Sequence, residues 1–283
     1  MKNVDQQPDL IRRAYYAGSF YPADPVELSE QVRGFIQAES GKVSAEIVGL
    51  IAPHAGYIYS GSCAAAAYRL LKGTKYEIVV VIAPSHQAFF TNTAVFRGGG
   101  YQTPLGVIYT DPELAATIAN IHPKVVFADD GHSGGARPEH SLEVQLPFLQ
   151  MVLGDLKMVP VVMGSQEYDM AIALGEVLAS ALTGKKALIV ASSDLSHYHS
   201  AAQADKMDKG ISEAVRRFDW KLLHDRVNSG YSEACGAGPM ISCMYAAKRL
   251  GATQAQIVRY THSGMVTGDD REVVGYLSAI CHR

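Results

Sequence analysis

Four short apolar runs constrain this chain more than any other feature: EIVGLIAP (46–53), YEIVVVIAP (76–84), LKMVPVVMG (156–164) and ALIVASSD (187–194). None shows the apolar–polar alternation of a strand with one wet face. Continuous β-branched runs of this length fit strands covered on both sides, as in a parallel sheet between helices. Helical patterns lie between them, at SGSCAAAAYRLLKG (60–73), at SLEVQLPFLQMVLG and over roughly 167–182. The alternation predicts an α/β fold: a single domain over 1–283 with a mostly parallel central sheet flanked by helices.

The rest of the chain fits around that frame. Residues 1–22, with the aromatic stretch YYAGSFYP, are expected to form an N-terminal extended arm. Asp24 and Pro25 open a helix whose apolar face carries Leu28, Val32, Phe35 and Ile36. Residues 93–110 read as a hairpin-like excursion, and Asp111–Pro112 caps another helix. The Gly-rich stretch 128–141 is irregular and long enough to be functional. Helices follow near 203–218, 219–227 and 237–249, before the strands AQIVRYTH and EVVGYLSAI.

Composition narrows the function. With 48% hydrophobic and 19% charged residues and a net charge of −3, the chain is neither disordered nor a basic nucleic-acid binder. No apolar run approaches the ~20 residues of a membrane span, and MKNVDQQPD is no secretory signal. Four cysteines without a CxxC do not make a disulfide framework, so a cytoplasmic location is expected.

Three of the apolar runs end in histidine: GLIAPHAG, VVVIAPSHQ and LIVASSDLSHYH. Loops at the carboxyl ends of parallel strands are where ligands bind in open α/β sheets. His54, His86, Asp194 and His197 therefore converge there. Asp194 and His197, three apart, are expected to share one helical turn or tight loop, with Asp194 capping the next helix or orienting the imidazole. Cys235, in EACGAGPM, precedes a helix, whose N-terminus would lower its pKa toward thiolate. A cysteine so placed is also often just buried and inert, the reading kept for Cys63 and Cys243. His140, in RPEHSLEVQLPF, can bond a substrate or support the site, with Glu139 or Glu143 assisting. His132 is a weaker candidate of the same kind.

These strings resemble those of the Memo family, protein B of the AmmeMemoRadiSam system, from AGSFYP through APHAGYIYSG, APSH, EHSLEVQLPF, SSDLSHY and CGAGP to the terminal strands. The family is similar in fold to the class III extradiol dioxygenases, which open catechol rings with ferrous iron and oxygen. The resemblance implies that His54 and His86 are metal ligands, and that Cys235 replaces the dioxygenases' glutamate. Asp194 and His197 match the remaining pocket residues, with His197 near the acid/base histidine. It also implies association with a radical-SAM protein and an AMMECR-type protein.

Three functions follow as expectations. The first is a non-haem, dioxygenase-like oxidoreductase with iron(II) or copper on His54, His86 and Cys235; zinc is compatible with the same donors. His197, Asp194 and His140 then serve catalysis on a small-molecule or peptide substrate. The second is a nucleophilic hydrolase with a Cys235–His197–Asp194 triad. The third is a non-catalytic protein binding a peptide or anionic ligand in the same pocket, lined by Tyr15, Tyr16, Tyr21 and Tyr57.

Overall fold

The computed structural model describes residues 7–40, 45–133 and 138–283. Among them one mixed sheet holds twelve strands: β1 (Gln7–Arg12), β2 (Ile47–Ala52), β3 (Ile78–Pro84), β4 (Thr93–Val95), β5 (Gly98–Thr103), β6 (Gly106–Thr110), β7 (Val125–Phe127), β8 (Lys157–Met163), β9 (Ala187–Ser192), β10 (Asp194–His199), β11 (Gln254–His262) and β12 (Val273–His282). The helices are α1 (Pro25–Ala38), α2 (Tyr57–Tyr68), α3 (Pro112–Ile121), α4 (Leu146–Leu153), α5 (Tyr168–Ala181), α6 (Ala201–Arg216), α7 (Trp220–Asn228), α8 (Ala237–Arg249) and the single turn α9 (Gly264–Thr267).

The four apolar runs are the centre of the sheet. β6, β8, β3, β9 and β2 lie side by side in parallel, and β2, β3 and β9 are buried along their whole length. The sheet is less parallel than the sequence implies, because β12 runs antiparallel to β2 and both β10 and β11 run antiparallel to β12. One face packs against α3, α5 and α8 and the other against α1, α2 and α4, giving two apolar cores on opposite sides. Strands with both faces covered have no wet side to alternate toward.

Local signals place the helices. Asp24 accepts hydrogen bonds from Val26 N and Glu27 N at 2.9 Å each, a cap worth about 1 kcal/mol. Leu28, Val32 and Ile36 are the buried stripe of α1, and Phe35 packs beside them, half-buried. Pro147 stands in the first turn of α4, where its missing N–H leaves no orphan and bends nothing.

Two expectations change. The arm is not simply extended over the surface: residues 7–12 form β1, which pairs parallel with β5 at one end of the sheet. The part after it is anchored from beneath. Arg12 Nη1 lies 2.5 Å from Glu143 Oε2, both side chains having no solvent contact. Glu143 also accepts from Tyr15 N (3.1 Å), Tyr16 N (2.8 Å) and Tyr21 Oη (2.6 Å). Asp194–His197, in turn, is neither helix nor loop but the bulged strand β10.

His132 belongs to this anchor and not to the site. It is fully buried, bonded to Tyr101 Oη at 2.5 Å and Ala94 O at 3.0 Å, and burial lowers its pKa to about 4. The irregular loop that precedes the site lies partly outside the described residues, at 134–137.

Replacing Glu143 by alanine strands the Arg12 charge in the core and should cost about 3–5 kcal/mol in urea unfolding. Acid should act through His132. Its folded pKa lies below the unfolded value near 6.5, so the folded state binds fewer protons in that window. Stability should therefore fall as pH drops from about 6.5 to about 4. An NMR titration should find His132 still neutral near pH 5.5, where a free imidazole is mostly charged, and half protonated only at about pH 4.

Candidate metal and substrate site

Two of the candidate side chains sit just beyond a buried strand. His54 follows β2, on a short loop that Pro53 and Gly56 bend into α2, and His86 follows β3. Cys235 lies two residues ahead of α8, and Asp194 and His197 stand on β10, reached from β9 through Ser193 alone. Since β12 runs antiparallel to β2, its first residues lie at the same end of the sheet.

His54, His86 and Cys235 offer ligand atoms that all lie within 4.8 Å of one another. The imidazoles of His54, His86 and His140 form a triangle with centroids 5.1, 5.3 and 4.8 Å apart. His54 is buried, and His86 is about a quarter exposed.

Hydrogen bonding fixes the tautomer of His54. Ser192 Oγ has one proton, which it donates to Ser141 O at 2.6 Å. It accepts from Gln145 Nε2 at 2.7 Å and lies 2.9 Å from His54 Nδ1, so His54 Nδ1 carries the hydrogen. Gln145 is oriented by Tyr68 Oη at 2.8 Å and by Pro53 O at 3.0 Å. The lone pair of His54 is therefore on Nε2, 3.1 Å from Cys235 Sγ. Burial, with His140 and His86 adding to it, drives the His54 pKa well below that of ordinary histidine. The ring is neutral, the form that binds metals.

Glu139 does the same for His86. Its Oε1 lies 2.9 Å from His86 Nδ1 and 3.1 Å from His140 Nδ1, and accepts the His140 and Ser141 backbone N–H groups at 3.0 Å each. Its Oε2 takes His86 N at 2.5 Å. Burial raises the Glu139 pKa, but the bonds and charges of His140 and His86 outweigh it, and the carboxyl is held well below the usual range. Carboxylate–histidine pairs of this kind aim the other ring nitrogen at a metal. With so many donors already on it, Glu139 is an orienter and not a ligand, although it lies within ligand spacing of His86 and His140.

The expected roles of Asp194 and Cys235 need correction. Asp194 neither caps a helix nor orients His197: its Oδ1 accepts the His54 backbone N–H at 2.7 Å, while His197 Nδ1 bonds Leu195 O at 2.8 Å. Burial raises the Asp194 pKa, and the His54 bond only partly opposes it. Cys235 is not activated by the helix, which is capped by Gly236. Burial, then the neighbouring Asp194 charge, pushes its thiol far above the ordinary value. Its near partner is His54, so the Cys235–His197–Asp194 triad of the hydrolase reading is not assembled.

Gly236 lets the cysteine loop reach the strand ends. A Cβ there would overlap Ser192 O and press on Ser193 Cβ, and Gly236 N donates to Ser193 Oγ at 2.9 Å. Asp194 N donates to Cys235 Sγ at 3.3 Å across the same contact.

In front of the imidazoles lies a cleft of about 520 Å³, reached by His140, Asp194 and His197. Of the aromatic arm, Phe20 lines it, joined by Tyr59 of α2. Tyr21 and Tyr57 instead border a separate pocket beside α1, with their hydroxyls on Glu143 and Val144 O. Tyr15 and Tyr16 line neither. Cys63 and Cys243 are buried, and burial takes Cys63 up to about 12. Sequence reasoning missed Ser192, Gln145 and Glu233; Glu233 bonds His197 N at 3.1 Å and His199 Nε2 at 3.0 Å. Nothing adjacent in the sequence ties these three residues to the imidazoles they support.

The fold and site define a class: an α/β domain with a histidine–cysteine pocket at the carboxyl ends of its central strands. The family profile described as Memo-like protein matches residues 12–280. A MEMO1 family protein of Methanococcoides burtonii is 38% identical over 275 residues, covering 95% of this chain and 99% of that one. One from Methanosarcina mazei is 36% identical, covering 95% and 98%, and one from Nitrosopumilus maritimus 35%, covering 94% and 98%. The chain belongs to the Memo family. An uncharacterised protein from Escherichia coli K12, known from a crystal structure, shares the fold, with a TM-score of 0.55 at 16% identity over 82% of this chain and 99% of that one. Among the described residues no helix is long and apolar enough to cross a membrane.

Gly236→Ala should cost about 1–3 kcal/mol by forcing the Cys235 loop off the strand ends. Iodoacetamide at neutral pH should label Cys235 slowly in the parent protein and markedly faster in the variant, as read by peptide mass spectrometry.

Proposed function

We propose that this Memo-family protein is a non-haem metal oxidoreductase in which His54, His86 and Cys235 hold iron(II) or copper. One observation carries the reading: two imidazoles with lone pairs directed by hydrogen bonds share a pocket with a thiol, all within 4.8 Å. Donors at ~2.0–2.3 Å from one ion stand about 3.5 Å apart in a tetrahedral arrangement, close to the 3.1 Å between His54 Nε2 and Cys235 Sγ. Two neutral nitrogens and a soft sulfur suit copper and iron, with zinc as the non-redox competitor.

When bound, such an ion supplies Lewis acidity and one-electron exchange. The side chains supply the rest. Cys235 gives up its proton on binding, so affinity rises with pH. Ser192 and Glu139 hold the His54 and His86 rings against rotation. His140 and His197 commit Nδ1 to Glu139 and Leu195 O, which leaves Nε2 on each to accept a proton from a substrate hydroxyl in the cleft. Asp194, made more basic by burial, is placed to carry a proton between substrate and solvent.

Protein purified without oxygen should contain near-stoichiometric iron or copper by elemental analysis. His86→Ala and Cys235→Ala should lose it, and Glu139→Gln should weaken affinity by about 10–100-fold. Cobalt(II) loading should give a sulfur-to-cobalt charge-transfer band that Cys235→Ser abolishes. Unchanged metal content in both alanine variants would refute the ligand set.

A further inference from the structure

The cleft has wall chemistry that the metal reading leaves unused. Asp269 and Glu272, from the segment between α9 and β12, stand on its rim, and Asp194 lies on its floor. No lysine or arginine lines it among the described residues. Arg271 holds both oxygens of Asp269, at 2.9 and 2.6 Å, which offsets that charge and leaves Glu272 and Asp194 as the unpaired acids among the described residues; the Arg271 side chain itself does not line the cleft. Asp194 is only 4% exposed. One of its oxygens bonds His54 N, and the other has no hydrogen-bond partner among the described residues.

Three aromatic rings, Phe20, Tyr59 and Tyr198, line the cleft with these acids and with His140 and His197. Tyr198 is 73% exposed and has φ 61, a left-handed backbone that costs a non-glycine residue about 1–2 kcal/mol. Glu233 holds it there by bonding the residues on both sides, His197 N and His199 Nε2. Strain that places an exposed ring over a cavity is strain spent on recognition. Ring faces carry negative quadrupole charge, so they attract cations as carboxylates do.

We propose that the cleft binds a small organic cation: an amine or guanidinium on a planar or aromatic body. The charge lies between Glu272 and the unpartnered oxygen of Asp194, and the body lies against Tyr198, Tyr59 and Phe20. An anionic ligand would face Glu272 and Asp194 with no lysine or arginine on the wall; among the described residues the only groups there able to carry positive charge are the His140 and His197 rings. The proposal rests on the reading that this cleft is the substrate mouth of the His54–His86–Cys235 centre.

Three ligands with the same phenol body test it: tyramine, p-cresol and 4-hydroxyphenylacetate, titrated calorimetrically into the full chain before and after chelation. Tyramine should bind tightest, about tenfold over the carboxylate, with p-cresol between. Glu272→Lys, at an exposed position, should erase the gap between amine and carboxylate without changing metal content or melting temperature. Tyr198→Gly should weaken all three. Equal or tighter binding of 4-hydroxyphenylacetate, no detectable binding of tyramine, or a ranking unchanged in Glu272→Lys overturns the proposal. A ranking that persists in protein unable to retain metal overturns the metal reading alone; retained metal with no ranking overturns this one alone.

Discussion

The carboxylate of Glu139 is the constraint on which the rest of the site depends. It is buried, it stays charged, and its two oxygens lie within hydrogen-bonding distance of the His86 and His140 rings and of three backbone N–H groups. A carboxylate taken out of water needs this many donors, or it would protonate. Once satisfied, it fixes the rotation of two imidazoles and ties the loop after β3 to the segment before α4. Its own backbone is fixed too, since Arg12 Nη2 donates to Glu139 O at 2.6 Å. The Arg12–Glu143 pair is thus one residue removed from the imidazole cluster, and the edge strand supports the site from behind.

A parallel order of hydrogen bonds surrounds His54. The Ser192 hydroxyl has a single hydrogen and three neighbours, so the direction of each bond follows by elimination. Neutral His54, charged Glu139 and protonated Cys235 are all consequences of burial acting on groups with different sets of donors.

The central strands were legible in the sequence because β2, β3, β8 and β9 have both faces covered and so read as unbroken apolar runs. β10 was not: DLSHYH mixes acid, hydroxyl and histidine, and its pairing with β12 is broken by register shifts. β1 escaped because QPDLIR carries a proline and an aspartate, tolerable at the end of a sheet. The convergence of His54, His86, Asp194 and His197 could be read from their position after strands, that of Cys235 from its place ahead of a helix, and His140 from its motif. Their partners could not. His86 and Glu139 are 53 residues apart and His54 and Ser192 138 apart, and nothing local marks either pair. Of the two readings open at Cys235, the helix-end thiolate and the buried thiol, burial favours the second.

The buried ion pair behind the site also sets a schedule for assembly. Arg12 and Glu143 are separated by 131 positions, and His54 and Cys235 by 181. During vectorial synthesis, at roughly 5–20 residues per second, the first guanidinium leaves the ribosome many seconds before its carboxylate. It must wait solvated while the strands between are made. Folding of this chain is therefore governed by late, long-range closure, and its histidine–cysteine pocket is among the last features a nascent molecule can acquire.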